Sequence, residues 1–185
     1  MPLASVQPTI QRPTFDIAVS PSPQSESGDN NTALLNCLRS GQLHSLPADC
    51  QGGLIILKSF YADFAGAGAA IGGEFDRHCT AVYTIGSVRL ERRTSRVERE
   101  ETLQTRIAYA EKLADITQVA VPLRRGGLIV DYLSQWLPAE LAMTIPQELI
   151  GKLVGVLPVT VKLAGRSRQQ GTGEMPTMIA PLRMV

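Results

Sequence analysis

The chain is poor in the residues that carry most enzyme chemistry and most covalent staples. It has three cysteines and two histidines in 185 residues. Cys37, Cys50 and Cys79 are odd in number and lack CxxC spacing. That excludes a disulfide framework and fits a reducing compartment. His44 and His78, without spaced cysteine pairs, offer no zinc-ligand pattern. The aromatic share is 5%, so the core must rest on Val, Leu, Ile and Ala. The formal net charge is +1, which leaves no global field toward nucleic acid or membrane. No uncharged apolar run approaches the ~18–20 residues that span a bilayer. The amino terminus lacks the charged start and apolar run of a signal peptide. An intracellular protein with no transmembrane segment is expected. No GxxxxGK[ST], GxSxG, HExxH or kinase-type motif occurs. The expectation is a non-enzymatic protein with no catalytic set, no cofactor and no metal.

What remains suffices for one domain of common size plus a tail. The hydrophobic fraction of 44% is ordinary for a globular protein. Residues 1–30 contain Pro2, Pro8, Pro13, Pro21 and Pro23 among several serines. That composition buries too little apolar surface to offset chain entropy, so a disordered tail is expected. Within it, 15–19 alternates like an edge strand, and Ser20-Pro21 and Ser22-Pro23 suit proline-directed phosphorylation. Residues 31–165 read as a single globular domain and 166–185 as a loose basic segment. From 151 onward Lys152, Lys162, Arg166, Arg168 and Arg183 face Glu174 alone.

Periodicity places the elements. A short helix is expected over 32–38. The apolar run within 53–61 reads as a strand buried on both faces. Residues 66–73 form a flexible small-residue loop, and 79–90 a strand. Ser95 and Glu98 have capping-box spacing. They open an amphipathic helix over about 96–115, with Leu103, Ile107, Ala110, Leu113 and Ala114 as its apolar stripe. Residues 119–123 and 128–132 read as strands joined by a hairpin turn at 124–127, or 131 onward as the start of a helix. Pro138 and Pro146 suit first helical turns. Thr144 and Gln147 repeat the capping-box spacing, so a short helix follows over 146–152. The last strand is 154–163, with Val159, Val161 and Leu163 inward. The fold class expected is α+β: a small mixed, mainly antiparallel sheet, one amphipathic helix, short helices and a disordered amino-terminal tail.

The candidate sites are few. Gly66 and Gly68 are followed by Ile71 where a dinucleotide fingerprint needs its third glycine, so the segment reads as a mobile loop rather than a nucleotide site. His78 and Cys79 are strand neighbours pointing to opposite faces, so His78 is badly placed to activate Cys79. Cys79 reads as a small buried hydrophobe. Asp63, Glu74 and Asp76 offer paired carboxylates of the kind any loop supplies. Glu100, Glu101 and Arg106 read as a solvated face of ion pairs. Trp136 with Tyr132 and Leu137 is core, or an anchor in an oligomer. Arg92, Arg93, Arg96, Arg124, Arg125, Arg166 and Arg168 are the candidates for contact with an acidic partner.

The layout of mobile tail, strand 79–90, capped helix from Arg96, segment 119–132 and late strand 154–163 resembles that of matrix proteins of negative-strand RNA viruses, including the short plant rhabdovirus type. The resemblance is one of element order. The tail carries no PPxY motif and no basic amino-terminal cluster. The resemblance implies a self-associating structural protein of the virion, active in virus assembly, that bridges nucleoprotein and membrane. It would reside in the host cytoplasm or nucleus, or in the virion. Its partners would be further copies of itself, nucleoprotein or RNA, and an acidic membrane surface. Two alternatives stand beside it. Stretches 46–53 and 159–163 resemble parts of plant-virus movement proteins, which implies a nucleic-acid-binding movement or coat-type protein. A small ligand-binding or enzymatic domain with the glycine-rich loop as lid is the other.

Overall fold

The computed structural model describes residues 27–171. The expected edge strand at 15–19, the Ser-Pro sites and Arg183 lie outside them. The chain is an α+β protein, with two small antiparallel sheets in its first half and a helical cluster in its second.

Helix α1 (Ser27–Arg39) begins inside the stretch expected to be tail and extends the short helix read at 32–38. Leu34 and Leu38, one turn apart, point into the core. Arg39 Nε donates to the Cys79 carbonyl at 2.8 Å. Strand β1 (Leu43–Ser45) pairs antiparallel with β4 (Ala70–Gly72). Strand β2 (Gly52–Leu57) is the centre of a second antiparallel sheet, between β3 (Ala62–Ala65) and β5 (Ala81–Gly86), in the order β3-β2-β5. Its Leu54, Ile55 and Ile56 are all fully buried, as an unbroken apolar run implies when both faces of a strand are covered.

The small-residue segment 66–73 is not a free loop. Ala69, Ala70 and Ile71 are buried, and 70–72 is strand. A Cβ on Gly66 would lie 2.5 Å from the Tyr109 hydroxyl oxygen. The Gly72 backbone sits at φ +77°, and a Cβ there would meet the Gln42 carbonyl oxygen at 2.3 Å. The glycines are there because neighbouring groups approach closely. The segment read as a flexible loop is therefore packed and carries strand β4.

Helix α2 (Gly73–Asp76) is a single turn. Helix α3 (Arg96–Thr117) starts where the capping pattern puts it: Ser95 Oγ accepts from the Glu98 amide at 3.1 Å. Its buried stripe is Thr102, Arg106, Tyr109, Leu113 and Ile116. The expected stripe was out of phase: of its five residues Leu113 alone is buried, and Ile107 is 39% exposed.

The second half departs most from expectation. Both segments read as strands at 119–132 lie in or beside one helix, α4 (Pro122–Trp136). Gly126-Gly127, read as a hairpin turn, are two of its buried positions, in line with Ile129 and Leu133. Short α5 (Ala139–Thr144) and α6 (Gln147–Val154) follow, with Pro138 and Pro146 at their caps. The second capping box does not form: no side chain caps α6, and the Thr144 hydroxyl donates back to the Leu141 carbonyl at 2.7 Å. Gly155, in the left-handed region at φ 64°, ends α6. The expected strand 154–163 is replaced by α7 (Pro158–Gly171). Here Val161 and Ala164 are buried while Val159 and Leu163 face out. The expected loose segment from 166 is helical through Gly171. One continuous core joins the halves, running from Leu38 through Ile55 and Phe64 to Ile129, Leu133 and Val161.

Candidate functional site: an aromatic tip on a buried ion network

The β2–β3 hairpin turns through Ser59 and Phe60, closed by a Lys58 amide to Tyr61 carbonyl bond of 2.8 Å. Phe60 is 98% exposed, Tyr61 55%. The turn is fixed from below. Lys58 Nζ reaches Asp76 Oδ1 at 2.8 Å and also donates to the Phe75 carbonyl. This brings α2, and with it Phe75 at 51% exposure, beside the hairpin. Phe60 and Tyr61 thus face solvent on the turn, and Phe75 faces solvent on the helix that Lys58 ties to it. Exposed Glu74 and Arg77 flank them, paired with each other at 2.9 Å.

Asp76 is the hub and is wholly buried. Its Oδ2 accepts the Gly72 amide at 2.9 Å, and its Oδ1 accepts both Lys58 and Arg106 Nη2, the latter at 3.3 Å. Arg106 Nη2 also donates to Asp63 Oδ2 at 3.2 Å. Two carboxylates and two cations balance, which is the condition for charges to persist away from water. Arg106 Nη1 is buried without a protein partner. The network ties β2, β3, α2 and α3 to one point. Each Asp76 oxygen is already engaged, so the carboxylate is a structural hub rather than a free acid or base. Asp63 and Asp76, two of the three suggested carboxylates, are brought together through Arg106. Glu74 instead stays at the surface with Arg77. Arg106, placed on a solvated face by sequence, is 3% exposed. Its signal was the spacing Thr102, Arg106, Tyr109, Leu113, Ile116, a helical stripe with a cation in it.

Cys79 is buried as expected. Burial and then the neighbouring Asp76 charge push its thiol pKa up, which keeps it protonated and a poor nucleophile. His44 Nε2 is buried without a partner. Burial, then the Arg92 charge, pushes its pKa down. Phe64, Tyr109, Tyr132 and Trp136 form a chain of edge-on ring contacts at 5.0–6.5 Å. Trp136 is half-exposed at its end, so it is both packed and presented. Burial raises the phenol pKa of Tyr132 to about 12. An open groove of about 250 Å³ runs between α3 and α4 beside Ile116, Leu128 and Tyr132, rimmed by Lys112, Asp115, Asp131 and Gln135. Among the described residues no three His, Cys, Asp or Glu side chains are grouped so as to hold a metal ion. No helix among them is long and apolar enough to cross a membrane.

The seven basic candidates divide. Arg92, Arg93 and Arg96 lie before or at the start of α3, whose 22 residues span ~33 Å. Arg124 and Arg125 follow its other end. Arg93 is largely engaged internally, by Ser45 Oγ at 2.8 Å and Glu91 at 2.6 Å. Arg125 Nη1 donates to the Thr117 carbonyl at 3.3 Å, completing the end of α3. Arg124 and Arg166 are exposed, and Arg168 lies on α7. The structure therefore makes no single basic surface of all seven. Arg92 and Arg96 lie at one end of α3, Arg124 in the first turn of α4 and Arg166 on α7.

No family model matches this chain, and no curated protein matches it. Of the segments that carried the matrix-like resemblance, the strand within 79–90 and the capped helix are present. Segments 119–132 and 154–163 form helices and turns instead of strands.

Proposed function

We propose that this chain is a non-enzymatic, self-associating protein whose copies meet through the aromatic tip. The observation that carries this is the exposure of Phe60 and Tyr61 on the hairpin turn and of Phe75 on α2, both held by the same buried charges. Exposed aromatics on a rigid support are the side chains that dominate protein interfaces. A buried ion network gives little stability compared with apolar packing, but it fixes the positions of the elements it joins. A second copy of this chain is the occupant that fits. The flanking Glu74 and Arg77 cancel in charge, so two tips related by a two-fold axis bring no net like charge together.

Light scattering of the full chain across concentration tests this, with the variant F60S/Y61S/F75S beside it. The mass of the wild-type protein should rise with concentration, and that of the variant should stay at one chain. These side chains are mostly in water, so the melting curve should be nearly unchanged. Identical masses for the two proteins at every concentration would overturn the proposal.

A further inference from the structure

The sheet β3-β2-β5 has two edges, and they differ. At the β3 edge, Ala62, Phe64 and Ala65 are buried, and Asp63 is held by Arg106. At the β5 edge, Ala81, Tyr83, Thr84 and Gly86 are half-buried. Among the described residues β5 pairs on one side only, with β2. Alternate amides and carbonyls along its other side therefore have no strand partner there. The helices beside β5 stand over its faces, not across this edge. The Thr84 hydroxyl donates to Asn31 Oδ1 of α1 at 3.2 Å. The Tyr83 hydroxyl donates to the Thr144 carbonyl, at the end of α5, at 3.5 Å. Successive strand residues point to opposite faces, so α1 covers one face of β5 and α5 the other. Between the two helices lies a slot floored by the edge of a strand.

We infer that this slot is the docking site for residues 15–19 of the same chain, added beside β5 as a fourth strand of the sheet. Strand addition makes main-chain hydrogen bonds along the edge and sorts alternating side chains onto the two faces. Phe15, Ile17 and Val19 alternate with Asp16 and Ala18. The apolar three lie on the side of Ala81 and Tyr83, and Asp16 and Ala18 on the side of Thr84 and Asn31. Pro13 and Pro21 bound the run and none falls inside it, which matters because proline cannot donate to a ladder. Chain length identifies the occupant. Helix α1 begins at Ser27, and Asn31, one turn on, already touches Thr84. The linking residues 20–26 reach up to ~24 Å, more than the ~20 Å length of a strand the size of β5. Tethered this closely, the segment acts at a millimolar effective concentration, which a free peptide does not match. The contact involves none of the tip residues.

The experiment is nuclear Overhauser and amide hydrogen-exchange spectroscopy on the full chain. It is run in the F60S/Y61S/F75S background, so that association through the tip plays no part. Overhauser contacts should join the backbone of 15–19 to that of 81–86. The outward amides of β5 should exchange slowly, at a rate unchanged by dilution. Adding F15S/I17S/V19S should speed them about tenfold and leave the β2 amides as they were. Three outcomes overturn the inference. One is the absence of Overhauser contacts between the two segments, a readout that needs no serine variant. Another is equal exchange of the β5 amides with and without the three serines. The third is protection that falls on dilution, which would put the strand of another copy in the slot.

Discussion

The hairpin tip and the outer side of α7 both expose apolar side chains, but among different charges. The tip shows aromatics flanked by an acid and a base that pair with each other. The outer side of α7 shows Val159 and Leu163 beside Lys162 and Arg166. The tip is held by a desolvated charge network, α7 by close helix packing at a glycine. Exposed apolar area therefore says only that something is met there. The charges around it, and the rigidity of what lies beneath, say what kind of partner is met.

Three perturbations separate the regions, the largest first. Asp76→Ala removes the hub and leaves Lys58 and Arg106 buried without their shared carboxylate. Breaking such a network from one side costs ~3–5 kcal/mol, read as a shift of the urea midpoint at unchanged slope. Self-association should fall with it. A shift below ~1 kcal/mol would mean that Asp76 behaves as a surface charge, and the comparison would collapse.

Gly126 tests the other region. Leucine there must push α7 away and should cost ~1–3 kcal/mol, while leaving the mass distribution intact. Alanine is the informative control. Its Cβ finds ordinary contacts of 3.4–3.5 Å, and a helical Gly→Ala change restricts the unfolded chain, so it should be neutral or stabilising by up to ~1 kcal/mol. Thermal melts of the two variants decide between close packing and accident.

The smallest effect sharpens the sheet side. His44 has its pKa lowered by burial and by Arg92. The folded protein thus resists a proton that the unfolded chain accepts below about pH 6.5. This contribution to stability is fully present above that pH and is lost as pH falls toward the folded-state value. Urea midpoints measured across a pH series should show the loss in the wild type. The component should be absent in His44→Gln.

How far the fold could be read varies along the chain for physical reasons. The central strand was legible because Leu54, Ile55 and Ile56 are buried on both faces and need no particular phase. The start of α3 was legible because Ser95 and Glu98 satisfy a local requirement. The phase of α3 was not, since Leu103 and Ile107 looked more buriable than Arg106, whose burial depends on Asp63 and Asp76 from 43 and 30 residues earlier. Helices α4 and α7 were read as strands because β-branched residues and paired glycines locally favour strand and turn. Tertiary packing reversed both readings. The candidate tip was hardly legible at all: Phe60 and Tyr61 continue an apolar run, and only the hairpin exposes them. Of the basic candidates, Arg124 and Arg166 stay exposed, while Arg93 and Arg125 are engaged within the fold.

The sequence by itself determined the α+β class, the buried central strand, the capped start of α3 and the burial of Cys79. These depend on composition and on contacts within a few residues. Tertiary structure alone decided that Arg106 goes inside, that 66–73 is a close-packed strap and that 154–163 is turn and helix. Each of those outcomes rests on partners distant in the chain, and a balance between charge, packing and solvent is settled only where such partners meet.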